Sequence, residues 1–346
     1  MPESILEREI FEQPEVIQRL LNVEATRVED TAKALKEAFG YVVIAARGTS
    51  DNAARYAKYL LGAHNRLQVA LATPSLLTLY KRPPDFSRAL VVGISQSGQS
   101  PDVVAVLEEA QRQARPTLAI TNDENSPLAK SAKYTIALQT GPELAVAATK
   151  TYTAALVSVA LLSIYLSGDL DYLTPIRRLP DLIEETLKNL GQPMRRIERY
   201  RYMEQCAVLG RGYNYATAYE IALKIKELNH IVAEPYSSAD FRHGPISMVQ
   251  NGFPVILVAP AGVVYQDMSD LCDRLQAQNC ELLVISDQDK ILKQAQLAMK
   301  LPPEVPEWLT PVLAVLPGQL IGLHLARAKG LDPDKPKGLH KVTETW

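Results

Sequence analysis

The stretch YVVIAARGTS (residues 41–50) and its later counterpart CAVLGRGYN (206–214) decide the fold. In each, a short run of β-branched and apolar residues ends at glycine and a helical pattern follows, DNAARYAKYLLGAH in the first case and YATAYEIALKIKEL in the second. Gly48 and Gly212 lie 164 positions apart. The next apolar run, Ala89 to Ile94, ends near Gly98, and its counterpart Val255 to Val258 ends near Gly262, again 164 positions on. A third run, Thr117 to Ile120 before Thr121-Asn122-Asp123, matches Leu282 to Ile285 before Ser286-Asp287 at an offset of 165. Short apolar strands alternating with helical stretches are the pattern of βαβ units on a parallel sheet. Three strand ends at offsets of 164 or 165 make the chain two similar doubly wound α/β domains, joined by a helical segment around residues 174 to 200. One large α/β sheet leaves the repeated offset unexplained. The expected spans are 28–170 for the first domain and 198–331 for the second, with a tail over 332–346. In this class of fold ligands sit outside the carboxyl ends of the strands, at helix N-termini.

The 346 residues suffice for two domains that each bury a core. Apolar residues make up 47% and charged residues 22%, a globular composition. With a formal net charge of -2 and no concentration of Lys and Arg, the electrostatic footprint of a nucleic-acid binder is missing. Cys206, Cys272 and Cys280 are far apart, odd in number and without a CxxC pair, which argues for a reducing compartment rather than a disulfide framework. The acidic, amphipathic N-terminus is unlike a signal peptide. The most apolar stretch, Ala154 to Leu166, is too short to span a bilayer and reads as a buried helix. A cytoplasmic protein with no membrane partner is expected.

The two halves differ where a ligand would bind. After the second strand of the first half comes Ser95-Gln96-Ser97-Gly98-Gln99-Ser100-Pro101-Asp102, then the helical pattern VVAVLEEAQRQ. Pro at the first helical position and Asp in the first turn suit a helix start. Hydroxyls and backbone N–H groups gathered at such a start make an anion site. Thr49 and Ser50 offer the same at the first strand end, and in a doubly wound sheet the two turns are neighbours. Either turn alone is an ordinary helix cap, whereas both together suit a phosphate dianion held without Lys or Arg. The matching place in the second half reads Ala259-Pro260-Ala261-Gly262, without hydroxyls, so one site per chain is expected.

Six segments, ARGTS (46–50), SQSGQS (95–100), GPELAVAATKTYTAAL (141–156), ALKIKEL (222–228), ADFRHGP (239–245) and DPDKPKGLHK (332–341), together resemble the isomerase portion of the glucosamine-6-phosphate synthases, from about residue 30 onward. The resemblance implies tandem sugar isomerase (SIS) domains of flavodoxin-like fold with the C-terminal tail as a lid. Those synthases also carry a glutaminase domain with a nucleophilic cysteine. This chain begins Met1-Pro2-Glu3, and the expectation is no glutamine hydrolysis. The chain is similar, in that respect, to the stand-alone glucosamine-6-phosphate deaminases and fructosamine-6-phosphate deglycases. One departure is Ala148, where the family has serine.

Interconverting a 2-amino aldose phosphate and a ketose phosphate moves a proton between C1 and C2, which needs a base, a ring-opening acid/base and a group beside the developing enolamine. Lys224 and Glu227 are three apart on a helix and share a face. Spacing alone leaves them an ordinary ion pair. The resemblance makes Glu227 the C1–C2 base with Lys224 beside the same carbons. It assigns the phosphate to Thr49, Ser50, Ser95, Gln96, Ser97 and Ser100, and the sugar pocket to Gly48, Val146 and Ala147. It makes His243, in a loop marked by Gly-Pro, the ring-opening group, reaching the neighbouring site of a homodimer. A histidine has the intrinsic pKa for that shuttle. Lys341 corresponds to the lysine that forms a Schiff base with the open-chain ketose, sound chemistry for an amine on a carbonyl. His64, His230, His324 and His340 have no metal-ligand spacing, and neither metal nor cofactor is expected. The leading expectation is a deaminase/isomerase between glucosamine-6-phosphate and fructose-6-phosphate plus ammonia. A deglycase with a bulkier amine near Ala148, and a non-catalytic sugar-phosphate sensor, stay open.

Overall fold

The apolar runs form strands because each is flanked by helices that bury both of its faces, the environment in which continuous Val/Ile/Leu runs are stable. The computed structural model describes residues 4–341. Its first sheet comprises β1 (Tyr41–Ala45), β2 (Val69–Leu71), β3 (Ala89–Ser95), β4 (Thr117–Thr121) and β5 (Tyr134–Ala137). Its second comprises β6 (Gln205–Gly210), β7 (Val232–Ser237), β8 (Pro254–Val258), β9 (Glu281–Ser286) and β10 (Leu297–Lys300). Every pairing is parallel, and the orders are β2-β1-β3-β4-β5 and β7-β6-β8-β9-β10. The two sheets therefore share one doubly wound, flavodoxin-like topology. The strand repeat continues to the edges of both sheets, β2 answering to β7 and β5 to β10.

The chain forms two compact units that are not simple consecutive spans. The unit with the first sheet takes residues 15–143 and 150–177 and, among the described tail residues, 340 and 341. The unit with the second sheet takes, among the described residues, 4–14, 144–149 and 178–339. The connection expected to be helical is so, with helices at Leu173–Arg177, Leu179–Asn189 and Gly191–Met194. Residues 342–346 of the expected tail lie outside the described residues.

Within the second unit, the Asn214–Asn229 helix packs directly on the Thr310–Ala328 helix. The approach requires glycine. A Cβ on Gly318 would fall 2.2 Å from Ile221 Cγ1, and one on Gly322 would fall 2.9 Å from Leu228 Cδ1. Asn214 Nδ2 donates to Thr310 Oγ1 at 2.8 Å, and Asn229 Nδ2 to the Gly322 carbonyl at 3.2 Å, which fixes the register of the pair at both ends.

The apolar stretch at 154–166 belongs to a longer helix, Lys150–Ser167. That helix and the segment Glu307–Ala328 are long and apolar enough to cross a membrane, so the expectation of too short a stretch is corrected. Both are mostly buried inside the protein, as the helices of a packed core are. The three cysteines are free and buried. Burial pushes the Cys206 and Cys272 thiols up to about 12 and Cys280 up to about 11, so none is poised as a thiolate nucleophile.

Candidate active site

In the first sheet β1 sits between β2 and β3, with Ala45 opposite Gly93, so the chain leaves the sheet in opposite directions from β1 and β3. The crevice at such a reversal is where doubly wound folds take ligands. Arg47 to Ser50 line it from β1 and Ser95 to Ser100 from β3. Gly48 opens the Gly48–Asn65 helix at φ +54°, with Thr49 and Ser50 in its first turn. Gly98 is at φ +62°, and a Cβ there would fall 2.1 Å from Ser126 Oγ, so conformation and space both demand glycine. The turn it makes arranges the hydroxyls. Ser95 Oγ accepts the Gly98 N–H at 3.1 Å, and Ser97 Oγ accepts the Gln99 N–H at 3.2 Å. Each oxygen acting as acceptor keeps its own proton to donate. Ser100 is the N-cap of the Pro101–Arg112 helix yet makes no side-chain cap bond, which leaves its hydroxyl unspent on the helix.

The equivalent reversal in the second sheet lies at β6 and β8. There the protein's own carboxylates take the backbone donors. Val263 N–H donates to Glu307 Oε2 at 2.7 Å and Ala261 N–H to Asp287 Oδ1 at 2.7 Å. A Cβ on Gly262 would fall 2.4 Å from the Glu307 carboxyl carbon, and one on Gly212 would lie 3.9 Å from Glu307 Oε1. The two turns that answer to the hydroxyl-lined ones thus close around a glutamate. A phosphate would meet negative charge where the first unit offers donors.

The Asn214–Asn229 helix carries a buried charge cluster. Lys224, with its side chain 1% exposed, lies 2.5 Å from Glu227 Oε2 and 3.5 Å from Glu220 Oε1. Glu220 is fully buried, while Glu227 is 23% exposed, so this is no surface ion pair and Glu227 is its open end. In the same unit His243 ends the Ser238–Arg242 helix, exposed, its ring without a hydrogen bond among the described residues. Asp267 anchors that helix, taking Arg242 Nη1 at 2.5 Å and Ser238 Oγ on its carboxylate and Arg242 Nη2 at 2.7 Å on its carbonyl. Val146 and Ala147 lie in a loop of this unit whose Leu144 and Ala145 N–H groups both donate to the buried Glu9 carboxylate, at 2.5 and 3.2 Å. Lys341 belongs with the first unit. Its Nζ sits 2.9 Å from Glu143, whose wholly buried side chain also accepts the Thr151 N–H at 3.1 Å and the Thr151 hydroxyl at 2.9 Å.

Each unit therefore brings together its own share of the expected residues: the six phosphate candidates, Gly48 and Lys341 in one, Lys224, Glu227, His243, Val146 and Ala147 in the other. Sequence reading missed Glu220, although its i,i+4 spacing to Lys224 was available as a signal. It missed Glu143 and Glu9, which nothing local marks. It also missed Arg47, whose Nε donates to Asp102 Oδ2 at 2.6 Å.

The family model of the SIS domain matches residues 40–165 and again 202–326. A glutamine–fructose-6-phosphate aminotransferase [isomerizing] of Pyrococcus horikoshii is 32% identical over 345 residues, covering 98% of this chain but 57% of its own length. The chain thus spans little more than half of such relatives. Among solved structures, a proposed phosphosugar isomerase from Silicibacter pomeroyi is 32% identical, covering 96% of this chain and 100% of its own, with a TM-score of 0.85. A glucosamine-6-phosphate deaminase from Thermotoga maritima superposes with a TM-score of 0.82 over 99% of this chain and 100% of its own; at 21% identity that likeness is one of fold.

The hydroxyl-lined reversal should take one oxyanion per chain and the carboxylate-filled one none. Calorimetric titration with inorganic phosphate should return one site per chain. Ser97→Ala should weaken it about fivefold, the worth of one hydroxyl bond near 1 kcal/mol. Two equivalent sites, or a Ser97→Ala variant with unchanged affinity, would contradict this geometry.

Proposed function

The chain belongs to the SIS domain family, and from that premise we propose that it is a phosphosugar isomerase acting on amino sugars, interconverting glucosamine-6-phosphate and fructose-6-phosphate plus ammonia. The observation that carries the reading is the Lys224 cluster. A buried ammonium between two carboxylates is costly to build and is kept where chemistry needs it.

In this reading Thr49, Ser50, Ser95, Gln96, Ser97 and Ser100 hold the phosphate, and Gly48, Val146 and Ala147 border the sugar. His243 passes the ring-oxygen proton as the sugar opens to its aldehyde. The Glu227 carboxylate then takes the C2 proton, giving a C1–C2 enolamine, and returns it at C1. The product is a C2 imine bearing a C1 hydroxymethyl group. Water adds at C2, ammonia leaves, and the ketose remains, so atoms balance without an oxidant. The Lys224 ammonium next to Glu227 stabilises the oxygen charge that develops at C1. The Lys341 amine serves the ketose carbonyl as a Schiff-base nucleophile, with Glu143 orienting it. No cofactor is called for. Three buried free thiols fit a reducing compartment, the cytoplasm. A deglycase is the second reading, favoured by the Ala148 methyl in place of a hydroxyl, which leaves room for a larger amine substituent.

Incubation with hexosamine 6-phosphates and with fructosamine 6-phosphates, following ammonia and fructose-6-phosphate, tests the function. Glucosamine-6-phosphate should release both products in equal amounts. Release of an amino acid from a fructosamine 6-phosphate alone would select the deglycase, and inertness towards the whole panel would overturn both.

The exposed, unbonded ring of His243 supports the further proposal that it serves a second copy of the chain in a homodimer. Mixing His243→Ala with Glu227→Gln chains should then restore part of the lost activity, because one site of a mixed dimer holds a complete set. No recovery after demonstrated subunit exchange would contradict it.

A further inference from the structure

We propose that Arg47 is a ligand of the substrate phosphate and that the buried Asp102 positions it, an inference that rests on reading the reversal at β1 and β3 as the phosphate site. Arg47 is the last residue before Gly48, in extended backbone at φ −139°. Its carbonyl accepts the Ser50 and Asp51 N–H groups at 3.1 and 3.3 Å, which fixes the start of the side chain at the lip of the crevice. The guanidinium makes one protein hydrogen bond among the described residues, from Nε to Asp102 Oδ2. Asp102 stands in the first turn of the helix that begins just after Ser100, and its side chain is 1% exposed, whereas that of Arg47 is 50% exposed. The pair thus ties the β1 turn to the β3 turn, the two segments that carry all the hydroxyl donors.

The geometry of that bond matters. A carboxylate held by Nε alone leaves both Nη amino groups in solvent, and these planar paired donors match two phosphate oxygens. A buried carboxylate needs a cation, so Asp102 holds the arginine in place before any ligand arrives. Asp51, four residues further along the chain, is bonded to Arg55 at 3.0 Å. The repeat supplies a control within the same chain. Arg211 stands immediately before Gly212, 164 positions after Arg47, and Asp267 lies in the first turn of the Tyr265–Ala277 helix, 165 after Asp102. There Asp267 is hydrogen-bonded by Arg242 and Ser238, and Glu307 fills the crevice. The arginine and aspartate persist in both halves, but the hydrogen-bonded pair stands beside an open crevice in the first.

The test is phosphate affinity and steady-state kinetics on the full chain, with inorganic phosphate as the calorimetric probe. Arg47→Gln should weaken phosphate about tenfold or more, the loss of a charge-assisted contact, and Arg47→Lys should recover part of it. In turnover of the hexosamine 6-phosphate, KM should rise by a similar factor while kcat stays within about threefold. Asp102→Asn should weaken phosphate severalfold, and adding it to Arg47→Gln should weaken it no further, the non-additivity of a residue acting through another. Wild-type protein that binds no phosphate would overturn the site reading itself. Wild-type binding with Arg47→Gln unchanged would overturn this inference alone. If Asp102→Asn does not fold, the two Arg47 variants decide the matter.

Discussion

A buried lysine dictates much of the second unit. Taking an ammonium out of water costs several kcal/mol, and the cost is offset only by close, well-aligned carboxylates. Lys224 meets that requirement on its own helix, with Glu220 one turn before and Glu227 nearly one turn after. The neighbouring helix packs against its backbone, where Gly318 and Gly322 remove the side chains that would hold the two helices apart. A Cβ on Gly322 would sit 3.6 Å from the Lys224 carbonyl oxygen itself. Removing one carboxylate still leaves the ammonium paired with the other, whereas removing both would leave a buried charge without compensation. The cluster is expensive for the fold, which favours a chemical reason for keeping it.

The repeat shows how one scaffold carries hydroxyl-lined turns in one copy and carboxylate-filled turns in the other. Both sheets present two turns and a helix start at the same reversal of strand order. In the first copy those turns carry Thr49, Ser50, Ser95, Ser97 and Ser100. In the second, Asp287 and Glu307 accept the N–H groups that an incoming anion would need. An internal carboxylate takes the backbone donors of these turns, and it repels an incoming anion by ordinary Coulomb interaction. The duplication thus leaves hydroxyl donors at one reversal and carboxylates at the other.

Much of the fold was legible because strand ends are local. Apolar runs repeated at 164 or 165 positions marked three strands of each sheet, β1, β3 and β4 against β6, β8 and β9, and the Lys224–Glu227 pairing followed from helical periodicity. What escaped notice depends on residues far apart in the chain. Glu307 reaches Val263 across 44 positions, Arg47 reaches Asp102 across 55, and Lys341 reaches Glu143 across 198. No periodicity encodes such pairs. The grouping of 144–149 with 178–339 is similarly invisible, since the linear repeat suggests two consecutive spans. The Thr310–Ala328 helix is hard to read for another reason: Pro317 and two glycines lie inside it, and only its close contact with the neighbouring helix explains the glycines.

In the proposed reaction Glu227, the open end of the buried cluster, moves a proton between C1 and C2 of a phosphorylated amino sugar. Solvent deuterium incorporation at C2 of glucosamine-6-phosphate reads that step without requiring net turnover. Wild-type protein should exchange the C2 hydrogen, and Glu227→Gln, equal in size but no base, should exchange it about 10²–10⁴-fold more slowly while binding phosphate normally. A Glu227→Gln protein that exchanges at the wild-type rate would contradict the account and leave the cluster a structural device alone.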